Sequence, residues 1–241
     1  MGLVFLIVAG VFLVSIFKAS KNNSEDSSST DTSNDSQMLH RRVEHNTRAI
    51  SLVKYGDPNF DPDAFTSWVK EVYLKLQIAW TEKNWNSVRA LESTSLYSQH
   101  SAQLEDHIRA KTTNVLEKVC IENVRIKEFI ENPDGNDTLV VILSSILRDY
   151  VIDDETRRVL EGDPKKDLFT VYQLNFIRQH GSKTQAVNPD EVVSDHCPNC
   201  GAPLKISAVS ECDYCGANLS RSPNQWVLDT YDVVDEDELY N

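Results

Sequence analysis

The sequence has few positive charges, with 24 lysines and arginines against 37 aspartates and glutamates and a formal net charge of −13. Affinity for nucleic acid comes largely from cationic side chains that neutralise phosphates and release counterions. The shortage of cations therefore disfavours a nucleic-acid partner. Hydrophobic residues make up 40% of the 241 residues, which is enough for a buried core in at least one domain.

Cysteine is also scarce, with five in the whole chain. Four of them form two C-x-x-C pairs near the carboxyl end, and Cys120 stands alone in an apolar stretch. This arrangement is not typical of the disulfide framework of a small secreted protein. A reducing compartment is the better interpretation.

No lysine or arginine precedes the apolar run from Gly2 to Phe17. As a helix this run would span roughly 24 Å at ~1.5 Å per residue, slightly less than a bilayer core of ~30 Å, and membrane thinning can absorb the difference. A cleaved signal peptide is the alternative, but Phe17 and Lys18 stand where a small residue belongs at the cleavage point. We predict an uncleaved transmembrane anchor over residues 1–18.

The cations nearest to the anchor all follow it, which by the positive-inside bias predicts a single-pass cell-membrane protein with its carboxy-terminal domains in the cytoplasm. From Ser20 to Gln37 there is no large apolar residue, so side-chain burial would not offset the conformational entropy lost on ordering this stretch. Residues 19–38 are predicted to be a disordered linker. Residues 39–56 mix charged and apolar positions and are predicted to be a short connecting segment.

Helix signals dominate the first half of the central region. Asp61-Pro62-Asp63 predicts a helix start, because Asp61 can cap free amide groups and proline suits the first helical position. Asn84–Leu91 and Ser95–Lys111 are predicted as two further helices. The first helix carries an apolar stripe with spacings of three and four residues: Phe65, Trp68, Val72, Leu76, Ala79 and Trp80.

Strand signals dominate the second half, at Val119–Ile130, Thr138–Ile152 and Asp167–Gln179. In the first strand, Val119 and Ile121 are out of register with the later alternation, which predicts a bulge.

Two connections separate these strands. Residues 132–135 are a strong turn signal, and Asp153–Pro164 is predicted as a polar connector. Because no strand–helix–strand alternation appears, the predicted class is α+β, with helices packed on a curved antiparallel sheet.

Short aromatic and aliphatic motifs follow one another through this region: Asp57-Pro58-Asn59-Phe60, Phe65, Leu76-Gln77-Ile78-Ala79-Trp80, Trp85, Gln103-Leu104, Thr112-Thr113-Asn114-Val115 and Asp137-Thr138-Leu139-Val140-Val141. In this order they resemble the Tim-forty-four-like (Tim44-like) family, named for the tether of the mitochondrial inner-membrane import motor. The resemblance covers roughly residues 57 to 180. It implies the cone-shaped fold of the nuclear-transport-factor-two-like proteins. Within the family, the chain resembles a bacterial branch with an amino-terminal membrane segment and a carboxy-terminal zinc ribbon.

The resemblance implies protein or lipid contact next to a membrane, and no catalytic or cofactor-binding residue is carried over from it. The chain lacks the long charged targeting region of the mitochondrial tether, so no import role is predicted. We interpret Phe65, Trp68, Trp80 and Trp85 as core residues. We interpret His100 and His107, seven residues apart on one helix, as part of a solvated face.

Two copies of a C-x-x-C-G motif follow the central domain, with eleven residues between Cys200 and Cys212. Two residues between cysteines let the backbone fold around one metal, and four thiolates close a tetrahedral shell. Iron in a rubredoxin-like site and redox use of the pairs are the alternatives. We predict one structural Zn2+ ion bound by Cys197, Cys200, Cys212 and Cys215.

The predicted organisation is a cone domain over 57–181, a linker over 182–194, a zinc ribbon with a closing strand over 195–231, and an acidic tail over 232–241. The closing strand, Gln225–Tyr231, is expected to pack against the ribbon or the cone. The tail is interpreted as solvated, with a docking motif as the alternative.

These features predict a non-catalytic, membrane-tethered binding or scaffold protein whose cone contacts a protein or lipid partner at the cytoplasmic membrane face. Between Asp57 and Gly181 there is no nucleophile–base pair, phosphate-cradling glycine loop or open metal site. The alternative is a small-molecule enzyme with polar residues in the cone pocket, for which Asp149, Tyr150 and Tyr172 are the candidates. Assembly of copies through the outer face of the sheet is a third hypothesis.

Overall fold

The structure is a computed structural model and describes residues 32–184 and 226–235. Within these ranges no helix is both long and apolar enough to cross a membrane. The predicted anchor over residues 1–18 lies outside the described residues. So do the four cysteines of the predicted zinc ribbon.

Helices come first and strands second, which confirms the predicted α+β class. The helices are α1 (Thr32–Gly56), α2 (Pro62–Thr81), a 3₁₀ helix (Trp85–Leu91) and α3 (Thr94–Ala110). The strands are β1 (Thr112–Ile130), β2 (Asn136–Asp153), β3 (Val159–Gly162), β4 (Leu168–Gln179) and β5 (Val227–Val233).

The start of α2 is the capped start that the sequence predicts. The Asp61 carboxylate accepts hydrogen bonds from the backbone amides of Asp63 and Ala64 at 2.9 and 3.1 Å, and Pro62 is the first helical residue. These bonds satisfy two amides that have no partner inside the helix. Five of the six predicted stripe residues are buried, and Trp68 is half-buried.

The sheet is antiparallel with the strand order β1-β2-β4-β5, and β3 pairs with β2. β2 is central, because β1 lies on one side of it and β4 and then β3 lie on the other. The register of β1 shifts at three places, between Glu117 and Cys120, after Ile121, and after Ile126. Bulges bend a strand and increase its twist, so the predicted bulge is confirmed and this edge of the sheet is curved.

The core lies between one face of the sheet and the helices, and aromatic rings fill much of it. Phe65 of α2 is fully buried, and its ring centroid lies 5.5 to 6.2 Å from those of Phe60, Trp68, Phe176 and Trp226. These residues come from α2, the loop before it, β4 and the position just before β5. The core therefore joins the amino-terminal helices to the last described strand.

Four segments differ from the sequence-based expectation. β1 begins at Thr112, seven residues before the predicted start at Val119. α1 begins at Thr32, inside the predicted linker, and Ala49 and Val53 near its end are buried in the core, so part of the predicted connecting segment packs with the domain. The predicted polar connector contains the strand β3, which forms only because β2 extends far enough to pair with it. β5 pairs with β4, so the closing strand belongs to the sheet of the cone.

A buried ion pair ties the loop before α2 to the end of β4. The Asp57 carboxylate accepts hydrogen bonds from Arg178 at 2.7 Å and from the Thr184 amide and hydroxyl at 2.9 and 2.7 Å. Burial raises the pKa of Asp57, but these hydrogen bonds outweigh it and hold the pKa below its ordinary value. The Arg178 guanidinium also lies 4.5 Å from the ring centroid of Trp226, so one side chain connects three segments.

Candidate functional site

A hydrogen-bonded chain of polar side chains lies inside the core and begins at Asp149 of β2. Side chains alternate along a strand, so Asp149 faces inward with Leu147. Its carboxylate accepts a hydrogen bond from the Asn114 amide group at 2.6 Å, and the Asn114 oxygen accepts one from the Trp80 indole at 2.9 Å. The chain therefore links β2, β1 and α2.

The carboxyl group of Asp149 has a raised pKa. Only 6% of the residue is exposed, and this desolvation raises its pKa to about 6, although the hydrogen bond from Asn114 partly opposes the rise. The negative charge of Glu161 on β3 adds to the rise. Asp149 is therefore a buried group that changes charge near neutral pH.

Three tyrosines form the second part of the interior. The Tyr73, Tyr172 and Tyr231 ring centroids lie 5.1 to 6.4 Å apart. The Tyr73 hydroxyl hydrogen-bonds to Ser145 at 2.7 Å, and the Tyr231 hydroxyl accepts a bond from Gln77 at 3.0 Å. Burial raises the pKa of all three phenols. They therefore remain protonated near neutral pH and act as hydrogen-bonding groups.

A second buried carboxylate lies where the 3₁₀ helix meets α3. Glu92 binds the His100 Nδ1 at 2.6 Å through one oxygen and accepts a hydrogen bond from the Trp85 indole at 3.0 Å through the other. The side chains of Glu92 and His100 are both 0% exposed. The His100 ring packs edge-on against Trp80, Trp85 and Tyr231.

The interpretation of His100 and His107 as a solvated face is wrong. His100 is fully buried, and His107 is half-buried with its Nδ1 3.0 Å from the Thr112 hydroxyl. Burial lowers the pKa of His107, and the charge of Lys83 lowers it further. A spacing of seven residues places two side chains on one helix face, but the packing of α3 decides that this face turns inward. The one sequence signal for the buried pair of Glu92 and His100 was an acid eight residues before the histidine.

The three residues proposed for an enzyme do not all meet. Asp149 and Tyr172 face the interior, where the charge of Asp149 contributes to the raised pKa of Tyr172 after the larger effect of burial. Tyr150 follows Asp149 in the strand and therefore points to the opposite face of the sheet. Sequence reasoning assigned no buried polar role to Asn114, Glu92 or His100.

The structure shows no metal site in the part of the chain that it describes. In residues 32–184 and 226–235, no three or more His, Cys, Asp and Glu side chains are grouped so that they could hold a metal ion. Cys120 is a free, exposed cysteine on β1. The predicted ligands, Cys197, Cys200, Cys212 and Cys215, lie outside the described residues, so the predicted zinc site stays a prediction.

Large apolar side chains are exposed on α1, α2, α3 and several strands of the described surface, β3 and β4 among them. Leu74 and Ile78 of α2 lie one turn apart on its outer side and are 38% and 56% exposed. Val159 and Leu160 form the exposed first half of β3. Phe169, 57% exposed, lies on the outer face of β4 opposite Ile146. Contiguous exposed apolar surface is typical of contact with another molecule, and Leu74 and Ile78 are neighbours on one helix face.

The order of helices and antiparallel strands, closed over a buried interior, defines a cone-like α+β domain. The model of the Tim44-like domain matches residues 46–187, from the second half of α1 to just beyond β4. The chain therefore belongs to the Tim44-like family.

Two further comparisons add little. No curated protein matches the sequence. Among solved structures, the chain is similar to the intermembrane space region of the chloroplast protein ARC6, with 7% identity and a TM-score of 0.35. That match covers 51% of this chain and 95% of the other. It is too weak to carry information on function.

Proposed function

We propose that this protein is a non-catalytic binding or scaffold protein, tethered to the cytoplasmic face of a cell membrane, whose Tim44-like domain contacts a protein or lipid partner. The observation that carries the proposal is the division between the interior and the surface. The polar groups inside the cone bind one another, whereas exposed apolar side chains lie on the outside.

The interior network supports a structural role for its polar groups. Trp80, Asn114 and Asp149 form one chain, and Trp85, Glu92 and His100 form another. Each of these six residues is at most 6% exposed. Buried polar groups that are paired with one another stabilise a unique packing, and the hydrogen bonds of both chains are made within the protein.

The exposed pair on α2 offers a matching binding surface. Leu74 and Ile78 are separated by one helical turn, so they form a short apolar stripe in the middle of the exposed side of the helix. Burying apolar area contributes roughly 25 cal/mol per Å². A helix or a lipid acyl chain that covers this stripe therefore gains free energy without any rearrangement of the core.

Chemical cross-linking in membranes, followed by purification of the full chain, tests the proposal. We expect a specific protein or lipid to be recovered with the chain and to be lost from a Leu74→Glu, Ile78→Glu double variant. Asp149→Asn serves as the matched control inside the core and should retain the partner. Loss of the partner from Asp149→Asn alone, in a folded protein, would contradict this assignment.

The tether has its own test. A cysteine placed at Ser28, in a background in which the native cysteines are controlled, should resist a membrane-impermeant thiol reagent in intact cells and react after lysis. Labelling in intact cells would place the carboxy-terminal domains on the opposite side of the membrane.

One observation favours the alternative of a small-molecule enzyme. Asp149 has a pKa of about 6, faces the same interior as Tyr172, and accepts a hydrogen bond from Asn114. A carboxyl group poised near neutral pH is suited to general acid–base chemistry. If the purified protein turns over a small molecule, and Asp149→Asn abolishes this activity without unfolding the protein, the enzyme hypothesis would replace the binding hypothesis.

A further inference from the structure

β3 is the shortest strand of the described sheet. All four of its residues are exposed, and among the described residues it pairs with β2 alone. Three residue pairs form this ladder: Tyr150 with Gly162, Val151 with Glu161, and Ile152 with Val159. Side-chain burial therefore contributes little to holding β3, and a segment with so few buried contacts can open without unfolding of the domain.

The chain on either side of β3 is fixed to other elements. Before β3, Asp154 binds Lys83 just after α2 at 2.7 Å and accepts a hydrogen bond from the Thr113 hydroxyl of β1 at 2.6 Å. After β3, Asp167 binds Arg148 of β2 at 2.6 Å. Separation of β3 from β2 is therefore confined to the segment between these two attachments.

A buried carboxyl group without a cation lies beside the ladder. Asp149 precedes Tyr150, the first residue of β2 that pairs with β3, and is 6% exposed. A Cβ atom at Gly162 would lie 2.6 Å from the Asp149 carbonyl oxygen, so the two strands are in close contact here. Asp149 accepts a hydrogen bond from Asn114 and forms no ion pair within the described residues. Its ionisation therefore places an unpaired charge in the core.

Glu161 of β3 is the charged group that acts on Asp149. It lies opposite Val151, two residues after Asp149, so the two acids are diagonal neighbours on the inner face of the sheet. The titratable groups that face Asp149 from the other elements are Tyr73 of α2 and Tyr172 of β4, and burial keeps both phenols protonated. An ionised Asp149 is therefore repelled by Glu161 only while β3 is paired.

The other charges near β3 do not offset this repulsion. Three cations are already paired with acids: Lys83 with Asp154, Lys111 with Glu155, and Arg148 with Asp167. The remaining charged side chains between residues 153 and 167 are solvent-accessible, acids and cations alike, where water and salt screen them. His107 of α3 faces Glu161, but burial and the charge of Lys83 lower its pKa, which limits the positive charge that it can offer.

We propose that β3 is a proton-controlled strand, which stays paired with β2 while Asp149 is protonated and separates more readily once Asp149 is ionised beside Glu161. Separation lets water reach Asp149 and moves Glu161 away, so it relieves both desolvation and repulsion. It also opens the inner face of the sheet at the end of β2. The inference goes beyond the proposed binding function and does not rest on it.

The direction of the pH effect follows from the pKa of Asp149 in the two states. It is about 6 while β3 is paired, and it should approach the ordinary value of about 4 once the carboxyl group is hydrated. The separated state therefore binds fewer protons between these values, and its population rises with pH through this window. We expect a rise of roughly tenfold to a hundredfold between pH 4 and pH 7, because each pKa unit is a factor of ten.

Native-state hydrogen exchange of the purified full chain tests the inference. With rates normalised to the intrinsic exchange rate at each pH, protection of the β3 amides should fall by this factor as the pH rises. Their exchange should hardly respond to low concentrations of urea, because separation of β3 exposes little surface. The amides of residues 139–143, in the ladder between β2 and β4, report global unfolding through their dependence on urea. An equally steep dependence at β3 would overturn the proposal, because β3 would then separate only when the domain unfolds.

Three variants identify the groups involved. Asp149→Asn keeps an acceptor for Asn114 and carries no charge, so β3 should stay protected and the pH response should disappear. Glu161→Gln, at an exposed position, should reduce the response. Glu128→Gln is the matched control, because it makes the same change at an exposed acid of β1 and should respond like the wild type. Protection of β3 that does not depend on pH, a response that persists in Asp149→Asn, or one of unchanged size in Glu161→Gln would overturn the proposal.

Discussion

Asp149 shows how one residue can make stability depend on pH. Its folded-state pKa of about 6 lies above the ordinary value, because the charged form is desolvated in the core. The native state therefore binds a proton that the unfolded state has already released between about pH 4 and pH 6. The contribution of Asp149 is most favourable below this window, falls as the pH rises through it, and is constant above it.

We expect Asp149→Asn to increase the free energy of unfolding at pH 7 to 8 by up to about 3 kcal/mol, at ~1.4 kcal/mol per pKa unit. The asparagine oxygen can still accept the hydrogen bond from Asn114, and no charge is buried. Urea denaturation of both proteins from pH 4 to pH 8 measures the difference. A difference that does not grow between pH 4 and pH 6 would show that Asp149 is not desolvated.

The buried ion pair between Asp57 and Arg178 stabilises the fold, so we expect removal of one partner to lower the free energy of unfolding. Arg178→Ala leaves the Asp57 charge buried without its cation, which costs about 3 to 5 kcal/mol of stability. Arg148→Ala is the matched control, because it breaks an ion pair with the exposed Asp167 and should cost much less stability. Urea denaturation at pH 7 distinguishes them, and equal losses would mean that the Asp57 pair is not buried.

At the scale of elements, β2 pairs with both β4 and β3, and these two strands end differently within the described residues. β4 continues the sheet to β5, whereas β3 ends it. The turn that leads into β3 is bound to α2 and α3 through Lys83 and Lys111. An exposed edge is therefore joined to the ends of the two helices that enclose the interior.

Gly162→Ala tests this element. Because the position has a positive φ and no room for a Cβ atom, we expect a loss of roughly 1 to 3 kcal/mol and separation of β3 from β2. Hydrogen exchange at the amides of β3 and the end of β2 should accelerate. Gly56→Ala is the control, because its added Cβ has no atom within 4 Å and should leave these amides unchanged. Unchanged exchange in Gly162→Ala would show that β3 tolerates a side chain there.

At the scale of the whole molecule, the described domain is one part of a chain with a predicted anchor and a predicted metal-binding ribbon. The domain has its own core, in which α1, α2 and the β5 segment contact the same aromatic cluster. Its folding is therefore expected not to depend on the ribbon.

Metal analysis of protein purified under reducing conditions should give about one zinc ion per chain, as four thiolates in two C-x-x-C pairs predict. A Cys197→Ser, Cys200→Ser double variant should lose the metal. Near-ultraviolet circular dichroism should show that the aromatic core of the central domain remains folded. Retention of stoichiometric zinc in the double variant would show that other residues are the ligands, and iron in the wild-type protein would replace zinc as the ion.

Local features of the sequence were sufficient for much of the fold. The start of α2 follows from Asp61 and Pro62, because capping depends on residues within one turn. The three long strands follow from composition and alternation, and the bulge in β1 follows from the change of register at Val119 and Ile121. The family motifs within these elements are borne out by the match to residues 46–187.

What only the tertiary structure decided are the properties that depend on a distant partner. β3 could not be predicted from the sequence, because it is short and polar residues flank it. It becomes a strand because the end of β2 can pair with it. β5 joins the cone because β4 offers a free edge. His100 and Asp149 are polar residues whose burial follows from how α3 and β2 pack, and the pKa of Asp149 follows from that burial. The sequence by itself determined the periodicity of each element, but contacts between elements decided which faces were buried, because side-chain burial is a property of packing and not of local spacing.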